Sequence, residues 1–227
     1  MLSVLATALT LVLVLDLAGA PPNIPASADF PTRILEGQAF ERSRWPIDFA
    51  SSLLFTGAFG AVILLGALLS SRTGRSAIGA LLGAGGLLGI ASQLTHVGAH
   101  QVAVSIGYCD CGFKTEEAIS QAWALMVSDG IADWLLIAAL VLLAAGVIAA
   151  AGVIVREGMP AVWGTLSYGL AGVLGLGAAL TILGVDGPWA SLLIALGSGV
   201  LLPVWAVWLA VGSRDRPATE GRPAAGA

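Results

Sequence analysis

The chain is built from long apolar blocks that contain almost no charged residue. Six blocks are each long enough for a membrane-spanning helix: residues 2–18, 46–70, 77–99, 134–155, 161–183 and 189–212. A bilayer core about 30 Å thick requires roughly 20 apolar residues in helical form. The short alternating segments that form β-barrel strands do not occur in this pattern. The sequence therefore predicts an all-α fold, a polytopic transmembrane helix bundle with about six spans.

The composition excludes a water-soluble domain. Of the 227 residues, 57% are hydrophobic and only 11% are charged, and the mean hydropathy is +0.92. Soluble domains carry about 25% charged residues, which cover their surface. The net charge of −4 offers no basic surface to nucleic acid, so the predicted partner is the lipid bilayer and not nucleic acid.

The apolar blocks divide the chain into four parts. Residues 1–20 form the first transmembrane span or an uncleaved signal-like segment, because small residues imitate a cleavage site but no positive charge precedes the apolar run. Residues 21–46 are a polar exoplasmic connection, and residues 47–212 are a five-span helical domain. Residues 213–227, which are rich in Pro, Ala and Gly, are predicted to be a disordered cytoplasmic tail.

Positively charged residues predict the orientation of the spans. Alternating spans put six arginines on one side of the membrane: Arg72, Arg75, Arg156, Arg214, Arg216 and Arg222. The other side has four basic residues in longer loops, and its short 184–188 loop has none. This bias favours a multi-pass protein with both termini in the cytoplasm. The preference for Arg over Lys, with many Ala and Gly residues, is typical of a GC-rich bacterium and hence of an inner membrane.

Glycines recur at helical spacing in the third span. Gly79 and Gly83 are four residues apart, as are Gly85 and Gly89. This small-xxx-small spacing lets two helix backbones approach closely. Two interpretations stay open: the glycine faces pack within the chain, or they contact a second copy or another membrane protein.

Two charged segments that open apolar spans carry a family resemblance. Residues 41–50, ERSRWPIDFA, lead into a span that ends in an arginine-bearing turn, and residues 156–160, REGMP, open a glycine-rich span. With the length and the six-span plan, the chain resembles the bacterial family called domain of unknown function 4386 over roughly residues 30–212. The resemblance implies a six-helix membrane protein and supplies no activity or catalytic residue.

Ionisable residues gather at one end of the predicted spans. His96 and His100 end the third span, while Asp129 and Asp133 precede the apolar part of the fourth, on a helical extension or surface helix over residues 116–133. Each pair is spaced four residues apart, so its members share one helical face. Because alternating spans put both pairs on the exoplasmic side, the histidines are predicted to face the aspartates.

Three interpretations of this cluster are open. Two imidazoles and two carboxylates suit a divalent metal such as zinc, neutral His with ionised Asp suits a proton relay, and all four residues also fit an ordinary polar membrane boundary. Three further candidate residues lie on the same face: Asp48, Cys109 and Cys111. The cysteines are too close for an easy mutual disulfide, which leaves a metal site, a link between two chains, or plain loop residues.

The motifs of common enzyme classes do not occur in the sequence. It has no phosphate-binding glycine loop, no nucleophile elbow and no HExxH pair. The leading hypothesis is therefore a non-enzymatic integral membrane protein, transporter-like or accessory, with an outward-facing polar cavity. The alternatives are a membrane-embedded enzyme with a His/Asp metal centre and a structural partner of another membrane protein.

Overall fold

The computed structural model describes residues 30–106, 115–156, 160–184 and 192–212. Over these ranges the chain is helical apart from short turns, and it contains no strand. The elements are α1 (Phe30–Thr73), α2 (Ser76–Ile106), α3 (Thr115–Arg156), α4 (Ala161–Ile182), a π-helix (Ala195–Leu201) and α5 (Leu202–Gly212). The predicted all-α fold is confirmed.

The described helices include candidate membrane spans. Five segments are long and apolar enough: Trp45–Thr73, Ser76–Gln101, Trp123–Arg156, Ala161–Ile182 and Leu192–Leu209. They correspond to the second to sixth predicted spans, and the first, residues 2–18, lies outside the described residues. Large apolar side chains such as Leu64, Leu94 and Trp134 are exposed on the outer faces of these helices. Contiguous apolar surface of this kind is typical of contact with lipid, and the protein is an integral membrane protein.

Helix α1 begins well before its membrane-spanning part. Residues 30–45 belong to the predicted polar connection, and they are helical and continuous with the span through Pro46. This stretch contains Leu, Glu, Gln, Ala and Arg, which are good helix formers. Proline removes one hydrogen bond of the helix backbone, so Pro46 is the weakest backbone position at the start of this span.

Consecutive helices pack as antiparallel neighbours. Helices α1 and α2 approach at Gly66 and Leu82, helices α2 and α3 at Gly85 and Leu143, and helices α3 and α4 at Gly164 and Val155. The π-helix and α5 contact α1 as well as α4. The last described span therefore lies beside α1, which carries the first described span. The described helices form one bundle around a common core.

The glycines of α2 allow close contacts within the chain. A Cβ atom at Gly85 would lie 2.8 Å from Leu143 Cγ, and one at Gly89 would lie 2.6 Å from the ring of Phe59. The prediction that this span meets other helices closely at these two glycines is confirmed. Gly83, by contrast, has no neighbouring atom within 4 Å of such a Cβ. A seam with a second copy or another protein stays a prediction.

The last span contains a π-helix just before a proline. In an α-helix the ring of Pro203 would clash with the carbonyl group four residues earlier, at Gly199. The wider turns of the π-helix Ala195–Leu201 change this register immediately before the proline. Gly199 also faces Phe55, since an added Cβ would lie 2.6 Å from its ring. Pro203 predicts a kink in this span. The irregularity that the structure describes just before the proline is a π-helix.

A buried hydrogen-bond chain joins α4 to α5. The indole N–H of Trp205 donates to the Ser167 hydroxyl at 2.9 Å, and that hydroxyl donates to the Trp163 carbonyl at 2.8 Å. Both polar side-chain groups are thereby satisfied inside the bundle. In an apolar interior such pairing matters, because an unsatisfied polar group is costly there.

Candidate metal centre

The pairing of α2 with α3 brings the predicted site residues together. The Ser92 hydroxyl on α2 donates a buried hydrogen bond of 2.8 Å to the Ala132 carbonyl on α3. This bond lies between two antiparallel helices and marks the level at which Ser92 meets Ala132. One turn further along α2, His96 is then opposite Asp129, which lies almost one turn back along α3. The predicted approach of the histidines to a carboxylate of the fourth span is confirmed for Asp129.

Two different ring nitrogens approach the same carboxylate oxygen. His96 Nδ1 lies 3.3 Å from Asp129 Oδ1, and His100 Nε2 lies 3.7 Å from that atom. The two rings are neighbours on one helical face, with centroids 4.1 Å apart and planes inclined by 50°. The histidines stand on successive turns of the helix. His96 therefore approaches the carboxylate with Nδ1, the nitrogen nearer its backbone, and His100 approaches it with Nε2, at the tip of its ring. The ligand atoms of the three residues all lie within 4.8 Å of one another.

The three residues lie toward one end of the candidate membrane spans Ser76–Gln101 and Trp123–Arg156. At 1.5 Å per residue, His96 is about 30 Å along α2 from Arg75, which equals the hydrocarbon thickness of a bilayer. Asp129 is about 40 Å along α3 from Arg156, so it lies toward the same end. The site is therefore at the end of the bundle opposite the arginine-bearing helix ends.

Burial differs among the three side chains. His100 is 9% exposed, while His96 and Asp129 are 40% and 36% exposed. One side of the cluster is thus closed by the bundle, and the other side is open. Although Asp129 as a whole is partly exposed, its Oδ1 atom is buried and accepts no hydrogen bond from the described residues. A buried carboxylate oxygen in that state is satisfied by a water, by an ion or by a protonated imidazole, and the two ring nitrogens lie 3.3 and 3.7 Å from it.

The distances can be compared with those of a metal site. Ligands bound tetrahedrally to zinc at 2.0–2.1 Å lie about 3.3–3.4 Å from one another. The two His–Asp distances, 3.3 Å and 3.7 Å, are close to this value. The ring nitrogens that the two histidines offer lie within 4.8 Å of each other. The donor set, two imidazoles and one carboxylate, is one that zinc and other divalent transition metals bind.

Of the other sequence-predicted site residues, the two described ones, Asp133 and Asp48, do not join this group. Asp133 is exposed, and it is not among the residues whose ligand atoms converge. The helix register explains this, because Asp133 lies one turn deeper along α3, at the level of Ser92. Asp48 is on α1, where its backbone carbonyl accepts the Ser51 hydroxyl at 2.9 Å, and it too is outside the convergent group. The two cysteines, at positions 109 and 111, lie outside the described residues.

Ser92 is a residue of this site that sequence reasoning missed. It is buried, and its hydrogen bond to the Ala132 carbonyl on α3 lies about one turn from His96 and Asp129. A signal for it exists in the sequence, since Ser92, His96 and His100 are successively four residues apart. That spacing marks one polar face of an otherwise apolar helix.

Comparison with protein-family models, with curated proteins and with solved structures finds no match for this chain. The resemblance to the domain of unknown function 4386 family stays a prediction. The convergence of His96, His100 and Asp129 is therefore the observation from which a function can be inferred.

Proposed function

We propose that this integral membrane protein binds a divalent transition-metal ion through His96, His100 and Asp129, with zinc as the first candidate. The buried Oδ1 atom of Asp129 carries the proposal, because it accepts no hydrogen bond from the described residues although two imidazole nitrogens lie nearby. A metal ion between the three side chains would satisfy this oxygen. Zinc accepts nitrogen and carboxylate ligands and has no geometric preference of its own.

The rival interpretation is a proton relay between the histidines and Asp129. A relay requires hydrogen bonds that are short and aligned along the N–H direction. His96 Nδ1 is 3.3 Å from Asp129 Oδ1, yet the pair does not meet the geometry of a hydrogen bond. His100 Nε2, at 3.7 Å, is beyond direct hydrogen-bonding distance of that oxygen. The arrangement therefore favours ligands around a common ion.

Metal content tests this proposal directly. The full chain, purified in detergent, is stripped with a chelator, reloaded with zinc and freed of excess metal before zinc and protein are quantified. We expect one zinc per chain for the parent and loss of that zinc in Asp129→Asn, which keeps the shape of the side chain but removes its charge. Asp133→Asn is the matched control, one turn away on the same helix, and it should keep the metal. A parent that retains no zinc, or an Asp129→Asn variant that binds like the parent, would contradict the proposal.

The position of the site supports a transporter-like or accessory role. His96 and Asp129 are partly exposed toward one end of the candidate spans, and we place this end in the aqueous phase, where a bound ion would exchange with water. We place this end of the bundle on the exoplasmic side and both termini in the cytoplasm, because the arginines of short loops lie at the opposite end. The alternative role, a membrane-embedded enzyme, requires in addition a coordination position that a substrate can occupy.

Thiol labelling tests the proposed orientation. Cys109 and Cys111 are the only cysteines of the chain. After mild reduction, an impermeant thiol reagent should label them in intact cells as strongly as in broken cells. The matched control is Ser71→Cys in a chain with both native cysteines replaced by Ser, since Ser71 is exposed at the arginine-bearing end. That variant should be labelled only in broken cells, and the reverse pattern would invert the topology.

A further inference from the structure

We infer that a metal ion held by His96, His100 and Asp129 keeps one coordination position open to water, and that this position takes a small monodentate anion. The inference rests on the proposed metal site and adds the kind of ligand that the ion would bind. Three steps lead to it: the number of protein ligands, the side on which the bundle leaves the site open, and the charge that the bound ion would carry.

The number of protein ligands distinguishes two kinds of zinc site. Structural sites are closed by four protein ligands, whereas sites with three protein ligands hold water or a substrate in the fourth position. Among the described residues, the group whose ligand atoms converge contains three members. Asp133, the nearest further carboxylate along α3, is not one of them. Among the described residues, this site therefore has three protein ligands, one fewer than a closed zinc site.

The burial pattern shows on which side the open position lies. His100 is 9% exposed and closes the site toward the bundle, while His96 and Asp129, at 40% and 36%, form its outer edges. An ion that contacts all three side chains would have protein behind it and water in front of it. We place the open side in the aqueous phase, because the trio lies toward one end of the candidate spans.

The charge of the occupied site determines which ligand it prefers. Two neutral imidazoles and one carboxylate leave a divalent ion with a net charge of about +1. A positive ion at a partly dehydrated position attracts anions and acidifies bound water. Asp133 is exposed one turn away, and its negative charge would weaken this attraction. The expected exchange is simple: the anion binds the metal, one water leaves, and the oxidation state does not change.

Cobalt(II) substitution with azide as the probe tests this inference. The stripped full chain is loaded with cobalt(II), whose visible absorption reports coordination number and ligand type. We expect millimolar azide to shift the visible bands in a saturable one-to-one titration, and removal of azide to restore the original spectrum. Asp133→Asn should respond in the same way, with equal or tighter azide binding because one negative charge is absent.

The failure of this inference is distinguishable from failure of the proposed function. If cobalt(II) binds but azide leaves the spectrum unchanged, the metal site stands and the open position is wrong. A near-ultraviolet thiolate-to-cobalt band that disappears in the double variant Cys109→Ser, Cys111→Ser would likewise overturn the inference, because a loop cysteine would then close the site. If cobalt(II) does not bind at all, the proposed function itself fails.

Discussion

Replacing His100 with Ala is expected to lower zinc affinity by at least about 100-fold, because even second-shell changes around metal ligands cost 10–100-fold. His100 is the buried member of the trio, so water would not easily take its place at a bound ion. His96→Ala should have a smaller effect in the same direction, since water can reach the vacated position at the exposed edge. The measurement is competition with a chromogenic zinc chelator, using purified protein in detergent.

Two controls separate ligand loss from misfolding. Gln101→Ala changes the exposed neighbour of His100 on the same helix and should bind zinc like the parent. His100→Gln keeps much of the side-chain volume, so it should fold and melt like the metal-free parent. If it still binds zinc more weakly than the parent, the loss comes from the missing imidazole and not from misfolding. Unchanged affinity in both His100 variants would remove this residue from the site. Affinity that falls only in step with melting temperature would indicate a purely structural histidine.

The second large effect is expected on stability, when bulky side chains replace the glycines of α2 that contact neighbouring helices. The double variant Gly85→Leu, Gly89→Leu should destabilise the fold, with each site costing roughly the 1–3 kcal/mol typical of overpacking. At Gly85 even a Cβ would lie 2.8 Å from Leu143 Cγ and 3.1 Å from the Ala139 carbonyl oxygen. At Gly89 it would lie 2.6 Å from the ring of Phe59, which is fully buried. Thermal melting of the purified protein in detergent measures the effect.

Gly83→Leu is the matched control for these glycines. It lies on the same helix, and a Cβ there meets no atom within 4 Å. The control should melt like the parent, while the double variant melts at a lower temperature. If Gly83→Leu lowers the melting temperature as much as the double variant does, the loss is not specific to the close contacts at Gly85 and Gly89, because Leu favours a helix more than Gly does. If the double variant melts like the parent, α2 does not depend on these contacts.

The fold follows from patterns that the sequence shows directly. Long apolar runs require helices, because a backbone in lipid must satisfy its own hydrogen bonds. The glycines at positions 85 and 89 indicated close packing, but the spacing could not show that they face different helices. In the structure one meets α3 and the other meets α1. That division depends on how three helices are arranged around α2, which is a property of tertiary packing.

The candidate site was predictable only in part. Four-residue spacing and alternating spans were enough to bring both histidines toward a carboxylate on the next helix. The spacing suggested two His–Asp pairs, whereas in the structure both rings approach Asp129 and Asp133 lies one turn away from them. The axial register of the two helices decides this, and the buried hydrogen bond from Ser92 to the Ala132 carbonyl is consistent with it. Sequence periodicity identifies a helical face but not the level at which two helices meet.

The π-helix in the last span could not be predicted from the spacing of apolar residues. Pro203 indicated a break in the helix, but a kink, a π-helix or a short loop would each accommodate a proline. The π-helix from Ala195 places Gly197 and Gly199 against α4 and α1. These contacts come from residues far apart in the sequence, so sequence periodicity could not show them.

Zinc K-edge X-ray absorption of the reloaded protein tests the central claim most directly. The account predicts a first shell of nitrogen and oxygen atoms at about 2.0–2.2 Å, together with the outer-shell scattering of two imidazole rings. One ring's contribution should disappear in His100→Gln at a zinc concentration that still fills the site. A first shell of oxygen atoms without imidazole scattering would contradict the assignment of His96, His100 and Asp129 as a metal site.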